Sequence, residues 1–390
     1  MLWWLRSPPT AAVLSSQPDA GACSSHDVVP NTLHRIWVGR NCPQVRDFIS
    51  MLSAALLLEP QQIINWVTTL GWDESCFMQE SAARQRVRLP IPECYRALGV
   101  QTNLINETDS QNGIVHVTRN FSYRRFAKRR TFKLLKAVSK TDYLRSWIMD
   151  THGGYYFDSD VFVTSRRLRH FRRCPAVIGR NDFDMYDFTT VAPGTPQAPP
   201  STAAPTEGEP LQLNSAMMLA VPGTSFTRSA WDWLKSWDGL TGIASRNCCN
   251  FTTDYHEKHP NEVLAAASMR NFPFCLRDRA NRSMHPTARC PGGTTEATDE
   301  RLWMEQIGRI VARSETHAVH LTNWKIRKFV WAPVLHFVLR NIVRHARNLT
   351  PGKQQCLDVA WRWLNATHPL HESTVAAQRY NTHDGRGEGW

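Results

Sequence analysis

No apolar run in the 390-residue chain reaches the roughly 20 residues that a membrane-spanning helix needs. The opening Met1-Leu2-Trp3-Trp4-Leu5 is broken by Arg6, Pro8 and Pro9, which leaves it too short for a signal-peptide core as well. Phe48 to Leu58 contains Ser50 and Ser53 and stops at Glu59-Pro60, so it reads as a core helix. Membrane association therefore depends on an anchor expected to be missing from this sequence. The ten cysteines form no pair of CxxC motifs, which argues against a zinc site and leaves disulfides or buried thiols. No internal repeat is present, so a stacked-repeat architecture is excluded.

What is there points to a globular chain bound for an oxidising compartment. An apolar fraction of 42% with 15 Trp and 16 Phe is too rich for a disordered polypeptide. Asn-x-Ser/Thr triplets stand at Asn106, Asn120, Asn250, Asn281, Asn348 and Asn365, against the roughly two or three that chance would place. Together with the cysteines they favour an oxidising lumen, the Golgi or another secretory compartment. The formal charge of +12 favours anionic partners such as nucleotide diphosphates, acidic lipid surfaces or nucleic acid. Basic residues cluster from Arg124 to Lys136 and from Arg166 to Arg173, as solvated faces or linkers.

Residues 1–29 mix Pro, Ser, Ala and Gly without periodicity and read as a tail or stem. Thr32 to Gly39 reads as a buried first strand, Val45 to Leu58 as a helix and Ile63 to Thr68 as a second strand. From Thr131 to Thr151 apolar residues recur at helical spacing, and Gly153-Gly154 supplies the stop. Tyr155 to Phe157 then reads as a short buried strand that Val161 to Val163 continues. The Pro/Ala/Thr-rich segment 191–210 reads as a surface insertion. A strand at Leu213 to Val221, a Trp-rich helix around Ser229 to Trp237, a strand at Ala318 to Leu321 and a helix from Val330 to Arg347 follow. Strands alternating with helices predict an α/β fold with a mainly parallel sheet.

In extended chain, side chains two residues apart share a face, so Asp158 and Asp160 at a strand end offer two carboxylates to one side. Open α/β sheets bind ligands beyond the carboxyl ends of their strands, and such a pair suits a hard cation such as Mn²⁺ or Mg²⁺. Taken alone, the Asp-x-Asp reads more readily as a strand-end turn than as a cation site. Asp142 and Arg145, three apart on the preceding helix, form either an ordinary ion pair or a second corner of a site. Asp182, Asp184 and Asp187 read as loop residues.

The run Lys140 to Arg145 followed by Gly153-Gly154-Tyr155-Tyr156-Phe157-Asp158-Ser159-Asp160 resembles the Asp-x-Asp region of glycosyltransferase family 32. Leu33 to Gly39 resembles that family's first strand, and Leu213 to Met218 its Asn-containing strand. Cys275 and Cys290 with Pro291-Gly292, and Ala318 to Trp324, resemble features of the α-1,4-galactosyltransferase and α-1,4-N-acetylglucosaminyltransferase branch. The resemblance spans roughly residues 30–345.

It implies a GT-A type, Rossmann-like mixed sheet in a catalytic domain over 30–347, with 348–390 as a C-terminal extension. The implied activity is metal-dependent, retaining transfer of a hexose or N-acetylhexosamine from a nucleotide sugar, UDP-linked by preference, to a glycan or glycolipid. By the same resemblance Trp37 stacks on the base, unless it is simply a core residue. Asp142 and Arg145 bind the donor. Asp158 serves ribose or metal, Asp160 the metal, and His320 is the third ligand unless it is structural. Asn214 lines the acceptor side. Lys325 and Arg327 are candidates for leaving-group stabilisation, and Cys275–Cys290 is an implied disulfide. His259-Pro260 replaces the family's Gly-Pro pair, which leaves the acceptor open.

Two rival readings compete with this one. Phe157-Asp158-Ser159-Asp160-Val161 also resembles the nucleophile motif of haloacid-dehalogenase-like phosphatases, but no later acidic metal motif of that family follows. A basic nucleic-acid-binding module would use the Arg/Lys clusters with Phe121, Tyr123 and Phe126. The sequons and cysteines argue against nucleic acid.

Overall fold

Along the first strand, Leu33 and Ile36 are buried in different apolar clusters on the two faces of a sheet, so neither face is left to solvent and even its polar His34 and Arg35 are buried. The computed structural model describes residues 23, 28–38, 45–68, 78–80, 86–88, 90–105, 137–181, 213–236, 244–273, 316–322, 332–346 and 349–367. The segment 191–210, the basic cluster 124–136, Asp182, Asp184, Asp187, Cys275, Cys290, Lys325 and Arg327 lie outside these residues.

The elements in chain order are β1 (Thr32–Trp37), α1 (Val45–Leu58), β2 (Gln62–Thr68), β3 (Met78–Glu80), β4 (Arg86–Arg88), α2 (Ile91–Ala97) and β5 (Val100–Ile105). Then come α3 (Ala137–Thr151), β6 (Gly154–Phe157), β7 (Val161–Val163), a 3-10 helix (Arg166–Arg173), β8 (Ala176–Asn181) and β9 (Leu213–Ala220). The rest are α4 (Ser225–Ser236), α5 (Ala244–Lys258), β10 (Leu264–Pro273), β11 (Ala318–Thr322), α6 (Ala332–His345) and α7 (Pro351–Thr367). Among the described residues, nine strands form one sheet in the order β5-β2-β1-β6-β9-β8-β10-β11-β7, and β3 and β4 pair separately. The β1–β2, β2–β5, β1–β6, β8–β10 and β10–β11 pairs are parallel, whereas β9 and β7 run against their neighbours. This is the mixed, mainly parallel α/β sheet flanked by helices that the element pattern predicts.

Side chains on adjacent strand residues leave opposite faces. Tyr155, Phe157, Met217 and Leu219 join the core under α1, α2, α6 and α7, while Tyr156, Met218 and Ala220 join the core under α3, α4 and α5. Helix α1 is buried almost all round because it packs between the sheet and α6 and α7. Helix α7 lies in the stretch expected as an extension, yet its Cys356, Leu357, Ala360 and Leu364 belong to that same core. A disulfide between Cys94 and Cys356 ties α7 to α2, and another joins Cys23 to Cys174.

The turn into β6 requires glycine. Gly153 and Gly154 have φ of 62° and 91°, conformations that an L side chain adopts only with strain. A Cβ on Gly154 would stand 2.5 Å from the Thr32 carbonyl oxygen. We expect Gly154→Ala to lose ~3 kcal/mol or more, strain and clash together. Gly99, with φ of 74° and nothing within 4 Å of such a Cβ, is the control that isolates strain. Urea midpoints compare them; equal losses would remove the clash argument.

Candidate active site

The strand expected to run on from Phe157 into Val161–Val163 does not do so. After Phe157 the chain turns, with the Val161 amide donating to the Asp158 carbonyl at 3.0 Å. It then leaves the middle of the sheet for its far edge, where β7 pairs antiparallel with β11. The reason is local. Asp158, Ser159 and Asp160 form a tight turn rather than extended chain, and turn-forming residues at these positions favour it. The carboxylates therefore converge through a bend, not through strand alternation. The bend also brings in a third ligand, because His320 pairs with Val161.

The result is a cluster in which one ligand atom from each of Asp158, Asp160 and His320 lies within 4.8 Å of the others. His320 Nε2 is 3.0 Å from Asp160 Oδ1, and the Leu321 amide donates to the Asp160 carbonyl at 3.3 Å. Burial alone would raise the Asp160 carboxyl, but the facing His320 outweighs it and holds Asp160 below the usual range. Burial alone would lower His320, and the Asp160 charge and hydrogen bond instead raise it. Two carboxylates and an imidazole, without sulfur, fit a hard to borderline divalent cation such as Mn²⁺ or Mg²⁺. A cation would displace the proton that Asp160 and His320 otherwise hold.

Arg145 links this cluster to α3. Its guanidinium bridges Asp142 one turn back, approaches Asp158 Oδ1 at 3.6 Å, and stands 5.4 Å from the centre of the Tyr156 ring. The Tyr156 hydroxyl donates to Asp158 Oδ1 at 2.5 Å. Burial, then the Asp158 charge, pushes the Tyr156 phenol well above its ordinary value, so it remains a donor. Asp142, Arg145, Asp158, Asp160 and His320 are thus brought together.

Trp37 and Asn214 stand at the rim. Trp37 closes β1, which runs parallel to β6 with His34 opposite Tyr156, so it ends at the same carboxyl edge as Asp158. It is half-buried there. The Asn214 side chain accepts from the Ala216 amide at 2.8 Å, bracing a register shift where Gly179 pairs with Asn214 but Ile178 with Met218. Ala216 in turn accepts from the Asp158 amide at 2.9 Å. His259 and Glu262 pair at 3.4 Å in the turn before β10, at the opposite end of the sheet.

Sequence reasoning missed the residues that hold the bend. Arg35 is buried and donates to the Ser50 hydroxyl at 2.8 Å and to the Asp158 carbonyl at 2.5 Å. The Ser50 hydroxyl donates to the Val161 carbonyl, and Ser53 accepts from the Val163 amide at 3.0 Å. Burial pulls Arg35 down to about 10. The available signal was the pair of serines three apart inside the otherwise apolar run Phe48 to Leu58. Ser50→Ala is expected to weaken Mn²⁺ affinity ~10-fold or more, the scale of lost outer-shell support, in a calorimetric titration. Unchanged affinity would make Ser50 a packing residue only.

No family model matches the chain, and no curated protein matches it. Among solved structures it is similar to the PaToxG glycosyltransferase, at 9% identity and a TM-score of 0.35 over 89% of this chain and 90% of that one. It is also similar to the galactosyltransferase LgtC in complex with donor and acceptor sugar analogues, at 11% identity and a TM-score of 0.37 over 89% and 99% of the two chains. An active-site mutant of LgtC follows at 13% identity and a TM-score of 0.36, over 83% and 99%. These are remote likenesses, and the reading of the site rests on its own geometry.

Proposed function

We propose that the chain is a metal-dependent glycosyltransferase that moves a sugar from a nucleotide donor, UDP-linked by preference, to a glycan or glycolipid acceptor with retention of configuration. The observation that carries this reading is the Asp158, Asp160 and His320 cluster with Arg145 3.6 Å from Asp158. A cation site with a guanidinium alongside suits a diphosphate, whose departing charge both would neutralise. A bound Mn²⁺ or Mg²⁺ would supply Lewis-acid stabilisation of that leaving group.

Within this reading Asp158, Asp160 and His320 hold the cation. Arg145, fixed by Asp142, meets the donor, and Asp158 is shared with the ribose. Trp37 at the same strand edge is suited to stack on the base, and Asn214 borders the acceptor side. No protein nucleophile is required, because the acceptor hydroxyl attacks from the face that the diphosphate leaves and passes its proton to that phosphate. The resemblance to glycosyltransferase family 32, and to its α-1,4 branch, supports the same assignment. Two disulfides and the exposed sequon residue Asn365 fit a lumen such as the Golgi.

The test is a donor screen. Purified protein with Mn²⁺ is offered UDP-galactose, UDP-N-acetylglucosamine, UDP-glucose and GDP-mannose, and nucleotide release is followed with and without EDTA. One UDP-sugar is expected to turn over, and EDTA to stop it. Release from none of them, or release indifferent to EDTA, would end the proposal.

A further inference from the structure

In a 3-10 helix residues three apart eclipse one another, so Arg166–Arg173 divides into three rows with three fates. Leu168, Phe171 and the following Cys174 are buried. Arg166 and Arg169 pair with Glu59, and Arg172 Nε donates to the Val29 carbonyl at 2.8 Å. Arg167, His170 and Arg173 are exposed, spaced about 6 Å apart along the axis. The basic run expected as a solvated face thus leaves only this row to solvent.

The row lies at the end of the sheet opposite the cation cluster. Strand β7 starts beside Asp160 and leads away from it into the 3-10 helix. Strand β8, which follows that helix, begins at the edge where β6 begins, since both run against β9. Two further segments reach the same end. Ahead of β1, the Val29 amide donates to the Arg172 carbonyl at 2.8 Å, and Cys23 is joined to Cys174. Near the end of α6, Asn341 Nδ2 donates to the Thr164 carbonyl at 2.9 Å, just past β7. These segments carry Val28 and Val343, which at 54% and 57% exposure are the two large apolar side chains exposed among the described residues. Arg344, next to Val343, is exposed as well.

Aliphatic and cationic side chains on one pole select the partner. The arginines alone suit any anion, but an exposed valine gains nothing against a soluble polyanion. A bilayer rewards both, because anionic headgroups attract arginine and the boundary beneath them takes up apolar side chains. We propose that this pole docks on the surface of a membrane containing anionic lipid, with Arg167, Arg173 and Arg344 at the headgroups and Val28 and Val343 inserted between them. Docked in this way, the chain turns the cation cluster away from the bilayer. The inference goes beyond the glycosyltransferase reading and does not depend on it.

Co-sedimentation of the full chain with phosphatidylcholine vesicles, with and without phosphatidylserine, is the test. Binding is expected only with phosphatidylserine present, and it should weaken as salt rises. Arg167→Gln combined with Arg173→Gln removes two charges, each contributing about fivefold at an anionic surface, so ~30-fold weaker binding is expected. Val343→Ser is expected to weaken vesicle binding about threefold or more and to leave retention on dextran sulfate unchanged. All three side chains are exposed, and thermal midpoints matching the parent's verify the fold of each variant. Equal binding to phosphatidylcholine alone, no binding to either vesicle, or an arginine variant that binds like the parent overturns the inference. Retention on dextran sulfate without vesicle binding, or vesicle binding that Val343→Ser leaves unchanged, assigns the pole to a soluble polyanion and overturns it too. Each of these results leaves the donor screen, and the transferase reading with it, untouched.

Discussion

Asp160→Ala is expected to weaken Mn²⁺ binding by ~100-fold or more and to lower turnover by ~1000-fold, while leaving the fold intact. Loss of outer-shell support at a metal site typically costs 10- to 100-fold in affinity, and removal of a ligand exceeds that. The turn does not depend on this carboxylate, because its backbone is held by the amide bonds of Val161 and Leu321 and by Arg35 and Ser50. The variant also removes the charge that raises His320, so that imidazole returns toward neutrality and remains a weak ligand. Electron paramagnetic resonance of added Mn²⁺ and nucleotide-release assays read the two effects separately. Full turnover in the variant would remove the cation from the mechanism.

How much of this was legible in the sequence depends on distance along the chain. The span of α1 was read residue for residue, and those of β2, β9, β11 and α6 to within a few residues, since periodicity and flanking glycines or prolines are local signals. Asp158, Asp160 and Arg145 were visible because they sit within one short run. His320 was named through a resemblance, and its pairing with Val161 is a contact that no spacing rule gives. The departure of β7 to the far sheet edge was not legible, for apolar Val161 to Val163 looks the same whether it extends β6 or pairs with β11. Arg35 was read as part of a strand, because nothing local says that a strand arginine will be drawn inward by the carbonyl of Asp158. The packing of α7 had the same obscurity. Its link to α2 runs through Cys94 and Cys356, and ten cysteines permit many pairings.

The second large effect concerns acid. His34 is fully buried on β1, accepts from the Trp66 indole at 3.2 Å through Nδ1, and has His152 with its ring centre 6.0 Å away. Burial first, then the nearby His152, pushes its pKa down to about 3 from 6.5. The sign follows from which state binds the proton. Below about pH 6.5 the unfolded chain protonates this imidazole and the folded chain does not, so stability falls as pH falls and stops falling only near pH 3. Over most of that window the slope is ~1.4 kcal/mol per pH unit, and the whole loss is of order 5 kcal/mol. Asp160, held below its usual range, adds loss in the same direction at lower pH, so the diagnostic is a difference between two proteins. His34→Gln keeps an acceptor for the Trp66 indole but cannot take the proton. Urea midpoints from pH 7 to pH 4 should show the variant less stable than the parent at pH 7 but with a shallower decline, the slopes differing by nearly one proton. Parallel slopes would mean that His34 is reached by water and titrates normally, and the tight ring cluster of His34, Trp66, Trp147 and His152 would not exclude solvent from the strand that ends in Trp37.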